Sequence, residues 1–220
     1  MPTRSPGSVE PMRDRSVFIN CPFDHAYIPL LRAICFTVRA IGYVPRCALD
    51  MSDSGDVRFT KILDMLSACD RSIHDLSRVE PHPVTNLPRF NMPLELGADL
   101  ALRIKGPLRQ RRRRTLIIDA EPHRYDATIS DISGQDIEAH GNSPTRVIEV
   151  VRDWLNANRG DGPPLPGGAA LALDYETCLV LMPDIAHELR LDIHRLSHRD
   201  FLDLVDLALP MIEAARPAIS

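Results

Sequence analysis

The stretch Asn91-Met92-Pro93-Leu94-Glu95-Leu96-Gly97 places one carboxylate where a proline-containing loop turns into a helix. A carboxylate fixed at the mouth of an apolar crevice can stabilise or attack the positive charge that develops on an anomeric carbon as an N-glycosidic bond breaks. Leu94 and Leu96 are expected to pack beside Glu95 and set its direction. Gly97 costs a helix about 1 kcal/mol relative to alanine, so it is read as room for something to come close. The same spacing also fits a plain helix start. Asn91 would be the N-cap, Pro93 would lie in the first turn, and the acid one turn in would gain about 0.3–1 kcal/mol from the helix dipole. The residues alone leave both readings open.

Other polar groups fall where they could join it. Asn20, Cys21, Pro22, Phe23 and Asp24 follow a first apolar run; Asp50, Asp53, Ser54, Gly55 and Arg58 follow a second. Asp75, Ser77 and Arg78 follow a third, and Asp119, Glu121 and His123 a fourth. In an open parallel sheet the binding crevice lies beyond the carboxyl ends of the strands, and these are the residues at those ends. Individually they can be loop or capping residues. As a set they mark a crevice.

The elements that must position them alternate. Ser16–Asn20, Tyr43–Leu49, Arg71–Leu76 and Thr115–Asp119 read as buried strands. Between them, Tyr27–Ile41, a helix carrying Phe59, Ile62, Met65, Leu66 and Cys69, and Met92–Ile104 repeat apolar residues at helical spacing. A weaker helical stretch is read over Ile129–His140 and a firm one over Pro144–Ala157. Such βαβ units give right-handed crossovers and a doubly covered parallel sheet, an α/β domain with a flavodoxin-like open parallel sheet. The expected boundaries are a disordered segment 1–15, the α/β domain 16–159, a linker 160–168 and a small helical C-terminal extension 169–220. In that extension helices are read over Tyr175–Ile193 and Ser197–Ala215, with Ser197 and Asp200 forming a capping box and Pro183 and Pro210 breaking or kinking the helices.

Several chemistries are excluded by pattern. No G-x-x-x-x-G-K-[ST], G-x-G-x-x-G, G-x-S-x-G or H-E-x-x-H occurs. The 5 cysteines contain no C-x-x-C, so no metal and no resident cofactor are expected. His194 and His198 lie one turn apart but are read as a solvated face, and His74 as a core histidine. A chain of 220 residues with 44% apolar and 25% charged residues can bury a core without staples. Its net charge of −4 argues against general nucleic-acid binding. The run Arg109-Gln110-Arg111-Arg112-Arg113-Arg114 is read as a solvated connection. Scattered cysteines, and the lack of a signal-peptide pattern or an apolar span, point to a cytoplasmic protein with free thiols and no membrane partner.

Four segments together resemble bacterial TIR-like domains and the related nucleoside 2-deoxyribosyltransferases. They are Val17-Phe18-Ile19-Asn20 with Pro22-Phe23-Asp24, Asp53-Ser54-Gly55 leading to Arg58, Ser72-Ile73-His74-Asp75-Leu76-Ser77-Arg78, and Asn91 to Gly97. Ser130-Asp131-Ile132-Ser133-Gly134-Gln135-Asp136-Ile137 with His140 also looks like a motif of a TIR-like subgroup. The resemblance spans about residues 16 to 157. Asn20-Cys21-Pro22 stands where the TIR pattern has Ser-Tyr, and the Trp-Cys pair before the catalytic glutamate is absent. The resemblance implies a TIR-like fold and an N-glycosidic bond hydrolase. Its substrate would be NAD, cleaved to nicotinamide and ADP-ribose in bacterial antiviral defence or stress-induced arrest. Glu95 would be catalytic. Asn20, Phe23, Asp24, Asp53, Ser54, Gly55, Arg58, Asp75, Ser77, Arg78, Asn91 and Gly97 would bind the nucleotide, with Arg46, Arg58, Arg78 and Arg89 offsetting the net negative charge. It also implies a homo-oligomer; the C-terminal helices, to which the resemblance does not extend, are read as serving either oligomerisation or the docking of an activating partner. The alternatives are a nucleoside or nucleotide N-glycosidase or deoxyribosyltransferase, and a non-catalytic nucleotide-sensing or scaffold domain.

Overall fold

A computed structural model describes residues 15–50, 55, 57–78, 86–87, 89–161 and 163–216. Asp53, Ser54 and the N-terminal segment 1–14 lie outside the described residues. Strands β1 (Ser16–Asn20), β2 (Val44–Cys47), β3 (Arg71–Asp75), β4 (Arg114–Asp119) and β5 (Ile137–Ala139) form one sheet in the order β2-β1-β3-β4-β5. Every neighbouring pair is parallel, with Phe18 opposite Ser72 and Ile73 opposite Leu116. This is the flavodoxin-like order, which puts the topological switch point between β1 and β3. All five residues of β1 are buried, as a central parallel strand covered on both faces requires.

Helices α1 (Ile28–Ala40) and α4 (Pro144–Ala157) cover one face of the sheet, and α5 (Gly168–Glu188) and α6 (His198–Ala215) pack against these two helices. Helices α2 (Arg58–Ala68) and α3 (Asn91–Lys105) cover the other, where Phe18, Ile62, Leu66 and Cys69 pack together. The first helix ends at Gly42, whose φ of +88° suits a residue without a Cβ. The C-terminal helices share the main core: Leu171, Cys178, Phe201 and Val205 join Val17, Ile34 and Val147. The Arg39 guanidinium also pairs with Asp206, and Arg32 lies 5.1 Å over the Phe201 ring. No described helix is long and apolar enough to cross a membrane.

Four sequence expectations are corrected. The helix read over Ile129–His140 is a short 3-10 turn, Ser130–Ile132, followed by the edge strand β5. Gly134, at φ +97°, turns the chain between them, and three strand residues are too few to show a two-residue period. Asn91 is the first helical residue, not the N-cap; Phe90 holds that place with no capping side-chain bond. Pro183 and Pro210 do not break their helices, which continue through them. A proline forfeits one backbone bond, and burial of α5 and α6 in the core outweighs that loss. The first C-terminal helix starts at Gly168 and ends at Glu188, earlier at both ends than its apolar pattern indicated. The Ser197–Asp200 capping box is present as read.

Candidate active site

Helix α3 is locked to the sheet by a carboxylate that the sequence reading passed over. Asp99 is wholly buried. Its Oδ2 accepts from Ser72 Oγ at 2.7 Å, Thr115 Oγ1 at 2.8 Å and His74 Nε2 at 3.2 Å. Its Oδ1 pairs with the guanidinium of Arg113, itself 1% exposed. Burial alone would raise Asp99, but the bonds from His74 and Ser72 and the Arg113 charge hold its carboxyl below the usual range. The network continues upward. Asn20 Nδ2 donates to the Met92 carbonyl at 2.9 Å and to His74 Nδ1 at 3.0 Å. An amide nitrogen only donates, so the His74 proton sits on Nε2, facing Asp99. The basic run is thus not solvated throughout: Arg113 turns inward while Arg111, Arg112 and Arg114 remain exposed.

Glu95 lies four residues before Asp99, on the same helix face. The anchored aspartate therefore fixes the direction of the glutamate, aiming it past the ends of β1 and β3. Glu95 is 8% exposed. Burial pushes its carboxyl up from 4.5 to about 7, against the opposing charge of Arg58 at the start of α2. On the other side lies Cys21, whose thiol burial raises well above its usual range, with the charge of Glu95 adding to the effect. Cys21 is accordingly a neutral thiol and no nucleophile. Among the described residues no hydrogen bond or ion pair reaches Glu95. The other buried carboxylates are all held: Asp75, Asp99, Asp119 and Asp174 each have partners.

Two loops meet at the switch point. Arg78 Nε lies 3.4 Å from Asp24 Oδ2, joining the loop after β3 to the loop after β1. Beneath them, Asp75 Oδ1 accepts the Ser77 backbone N–H at 2.7 Å, and its Oδ2 accepts the Tyr27 hydroxyl. His140 Nε2 stands 3.0 Å from the same oxygen. His140 Nδ1 accepts from the Asn142 backbone N–H at 3.1 Å, which places the imidazole proton on Nε2. Asp75 is wholly buried under these donors and faces inward, as does Asn20, whose amide nitrogen serves Met92 and His74. Ser77 Oγ is buried with no hydrogen-bond partner among the described residues. Asp119, paired with Arg124, is still raised by burial.

The residues named from sequence therefore divide. Glu95, Arg58, Phe23, Asp24, Ser77 and Arg78 belong to the rim over β1 and β3, whereas Asn20 and Asp75 support it from below. Gly55 is exposed at the approach to α2, and Asn91 is exposed on α3. Gly97 is exposed, and a Cβ built on it would meet nothing within 4 Å, so no close approach explains it. Two residues beyond Glu95, it lies on the opposite side of the helix. Leu96 packs as expected, but Leu94 is 57% exposed and fixes nothing. Clefts of about 480 and 890 Å³ lie at the lower and outer parts of β4, away from Glu95. Missed from the sequence were Tyr27, Asp99, Arg113 and the role of His140. Asp99 alone left a signal, being one turn after Glu95 among apolar neighbours. Comparison with family models, curated proteins and solved structures gives no match to this chain.

Proposed function

We propose that this chain is a TIR-like N-glycosidic bond hydrolase whose substrate is NAD, released as nicotinamide and ADP-ribose. The observation that carries the reading is Glu95: a buried carboxylate with no hydrogen-bond or ion-pair partner among the described residues, on a helix fixed by Asp99, at the switch point of an open parallel sheet. Nicotinamide leaves NAD as a neutral ring, taking the electron pair of the C–N bond, so departure requires no proton. The positive charge passes to the anomeric carbon and ring oxygen, where the ionised Glu95 stabilises it. Water then adds to that carbon and loses a proton to solvent. A pyridinium ring entering beside Glu95 favours its ionised form before reaction begins.

A neutral nucleoside makes a different demand, since its base leaves well only when a general acid protonates it. Of the other described acids at these strand ends, Asp24 is paired with Arg78, and Asp75 and Asp119 are buried and engaged. Among the described residues Glu95 is the buried carboxylate without a partner, which supports the cationic substrate over the nucleoside alternative. Assembly of several copies and a role in bacterial defence or arrest complete the reading by resemblance.

The test is incubation of the concentrated full chain with NAD, NADP and nucleoside monophosphates, followed by chromatography. Nicotinamide released by wild type and lost in Glu95→Gln is the expected result. Equal release by Glu95→Gln overturns the role of Glu95. Base release from monophosphates with NAD intact transfers the reading to a nucleotide N-glycosidase. Binding without turnover of any nucleotide transfers it to a sensing domain.

A further inference from the structure

The sheet face opposite Glu95 carries a second constellation. Cys47 ends β2, Asp50 ends the short turn that follows, and His198 opens α6 after the Ser197 cap. One ligand atom from each lies within 4.8 Å of the others, and this is the group of at least three such ligands found among the described residues. Cys47 Sγ stands 3.4 Å from His198 Nε2, which stands 3.6 Å from Asp50 Oδ1. We propose that Cys47, Asp50 and His198 form a zinc site with three protein ligands and an exchangeable fourth position.

Geometry supports zinc in particular. Tetrahedral zinc with Zn–S near 2.3 Å and Zn–N and Zn–O near 2.0–2.1 Å places sulfur and nitrogen about 3.6 Å apart and nitrogen and oxygen about 3.3 Å apart. The observed separations are close to both. The 3.6 Å contact between Nε2 and Asp50 is too long for a hydrogen bond. The carboxylate is already oriented. Asp50 Oδ2 accepts the Cys47 backbone N–H at 3.1 Å and faces Arg46 Nε at 3.4 Å, which leaves Oδ1 turned to the histidine. Such outer contacts are the usual support of a metal ligand.

Charge and access agree with the geometry. The Cys47 thiol is buried at the end of β2. Zinc binding breaks the S–H bond, releases that proton to solvent and forms Zn–S. Thiolate and carboxylate then balance the charge of the ion. Thiolate with imidazole selects zinc over magnesium or calcium, which prefer oxygen ligands. Asp50 and His198 also line a cleft of about 430 Å³ with Arg39, Arg46, Ser197 and Arg199, so water or another small ligand has a route to the fourth position. The bound ion would tie the sheet edge to a helix 151 residues further along the chain. His194, one turn before His198 in sequence, is exposed and takes no part.

The proposal is tested on the full chain stripped by chelator and titrated with zinc chloride against a chromophoric chelator, with cobalt(II) as a spectroscopic substitute. Expected are one ion per chain, a thiolate-to-cobalt charge-transfer band, and a melting temperature that rises with zinc concentration. Cys47→Ser removes the band. His198→Gln and Asp50→Asn each weaken zinc at least tenfold, and His194→Gln leaves affinity unchanged. Substoichiometric binding by wild type, or undiminished affinity in His198→Gln, overturns the site. Should buried Cys47→Ser fail to fold by circular dichroism, His198→Gln decides, since a helix start accepts glutamine.

Discussion

Replacing Glu95 by glutamine should stabilise the protein at high pH and leave it nearly unchanged at low pH. The folded carboxyl lies at about 7 against an ordinary 4.5. Between those values the folded state holds a proton that the unfolded state has released, so wild-type stability falls as pH rises through this window. Each pKa unit is worth about 1.4 kcal/mol, and a separation of about 2.5 units sets an upper bound of about 3.5 kcal/mol well above pH 7. Glutamine keeps the shape and carries no charge, so it escapes this loss. Urea denaturation of both proteins from pH 4.5 to 8.5 measures the difference, and all other titrating groups are common to the pair. The curves should coincide near pH 4.5 and separate by about 2–3 kcal/mol at pH 8 in favour of Glu95→Gln. A difference that stays flat with pH would show that Glu95 is solvated in the folded protein, and the buried free carboxylate would be refuted.

In catalysis the same group must be ionised, so kcat/KM for nicotinamide release should rise with pH up to about 7 and then level off. Asp99→Ala should destabilise the fold by about 3–5 kcal/mol, because it leaves Arg113 charged and buried without its partner; the urea midpoint reports it. Gly97→Ala should stabilise by about 1 kcal/mol and leave KM unchanged, since the added methyl meets open space within α3. A raised KM in that variant would put substrate on the face of α3 turned away from Glu95.

The alternation of strands and helices was legible because β1 to β4 and α1, α2, α3 and α4 are long enough to show their periods. β5 was not, since its three residues gain their identity only by pairing with β4. Leu94 and Gly97 misled for a related reason. Their types are informative only once the helix phase is known, and that phase is set by Asp99 through contacts with Ser72, Thr115 and Arg113. The rim could be read as a list because strand ends are local features. Which members face inward depended on tertiary partners, as His140 over Asp75 and Met92 beside Asn20 show. Cys47, Asp50 and His198 share no sequence motif, and only the packing of α6 against the end of β2 joins them.

The two carboxylates of α3 make opposite use of one helix face. Asp99 gathers every donor within reach, and its ionised form costs little in spite of burial. Glu95, one turn nearer the rim, has none among the described residues, so burial pushes its carboxyl up against the opposing charge of Arg58. Stability alone would favour a neutral side chain at that position, because an unpaired acid gains the fold nothing and costs it above neutral pH. Among the described residues Asp99 is secured by four groups and Glu95 by none. Under the proposed function the complementary partner is a centre of positive charge arriving at the ends of β1 and β3, which the anomeric carbon of a breaking N-glycosidic bond supplies.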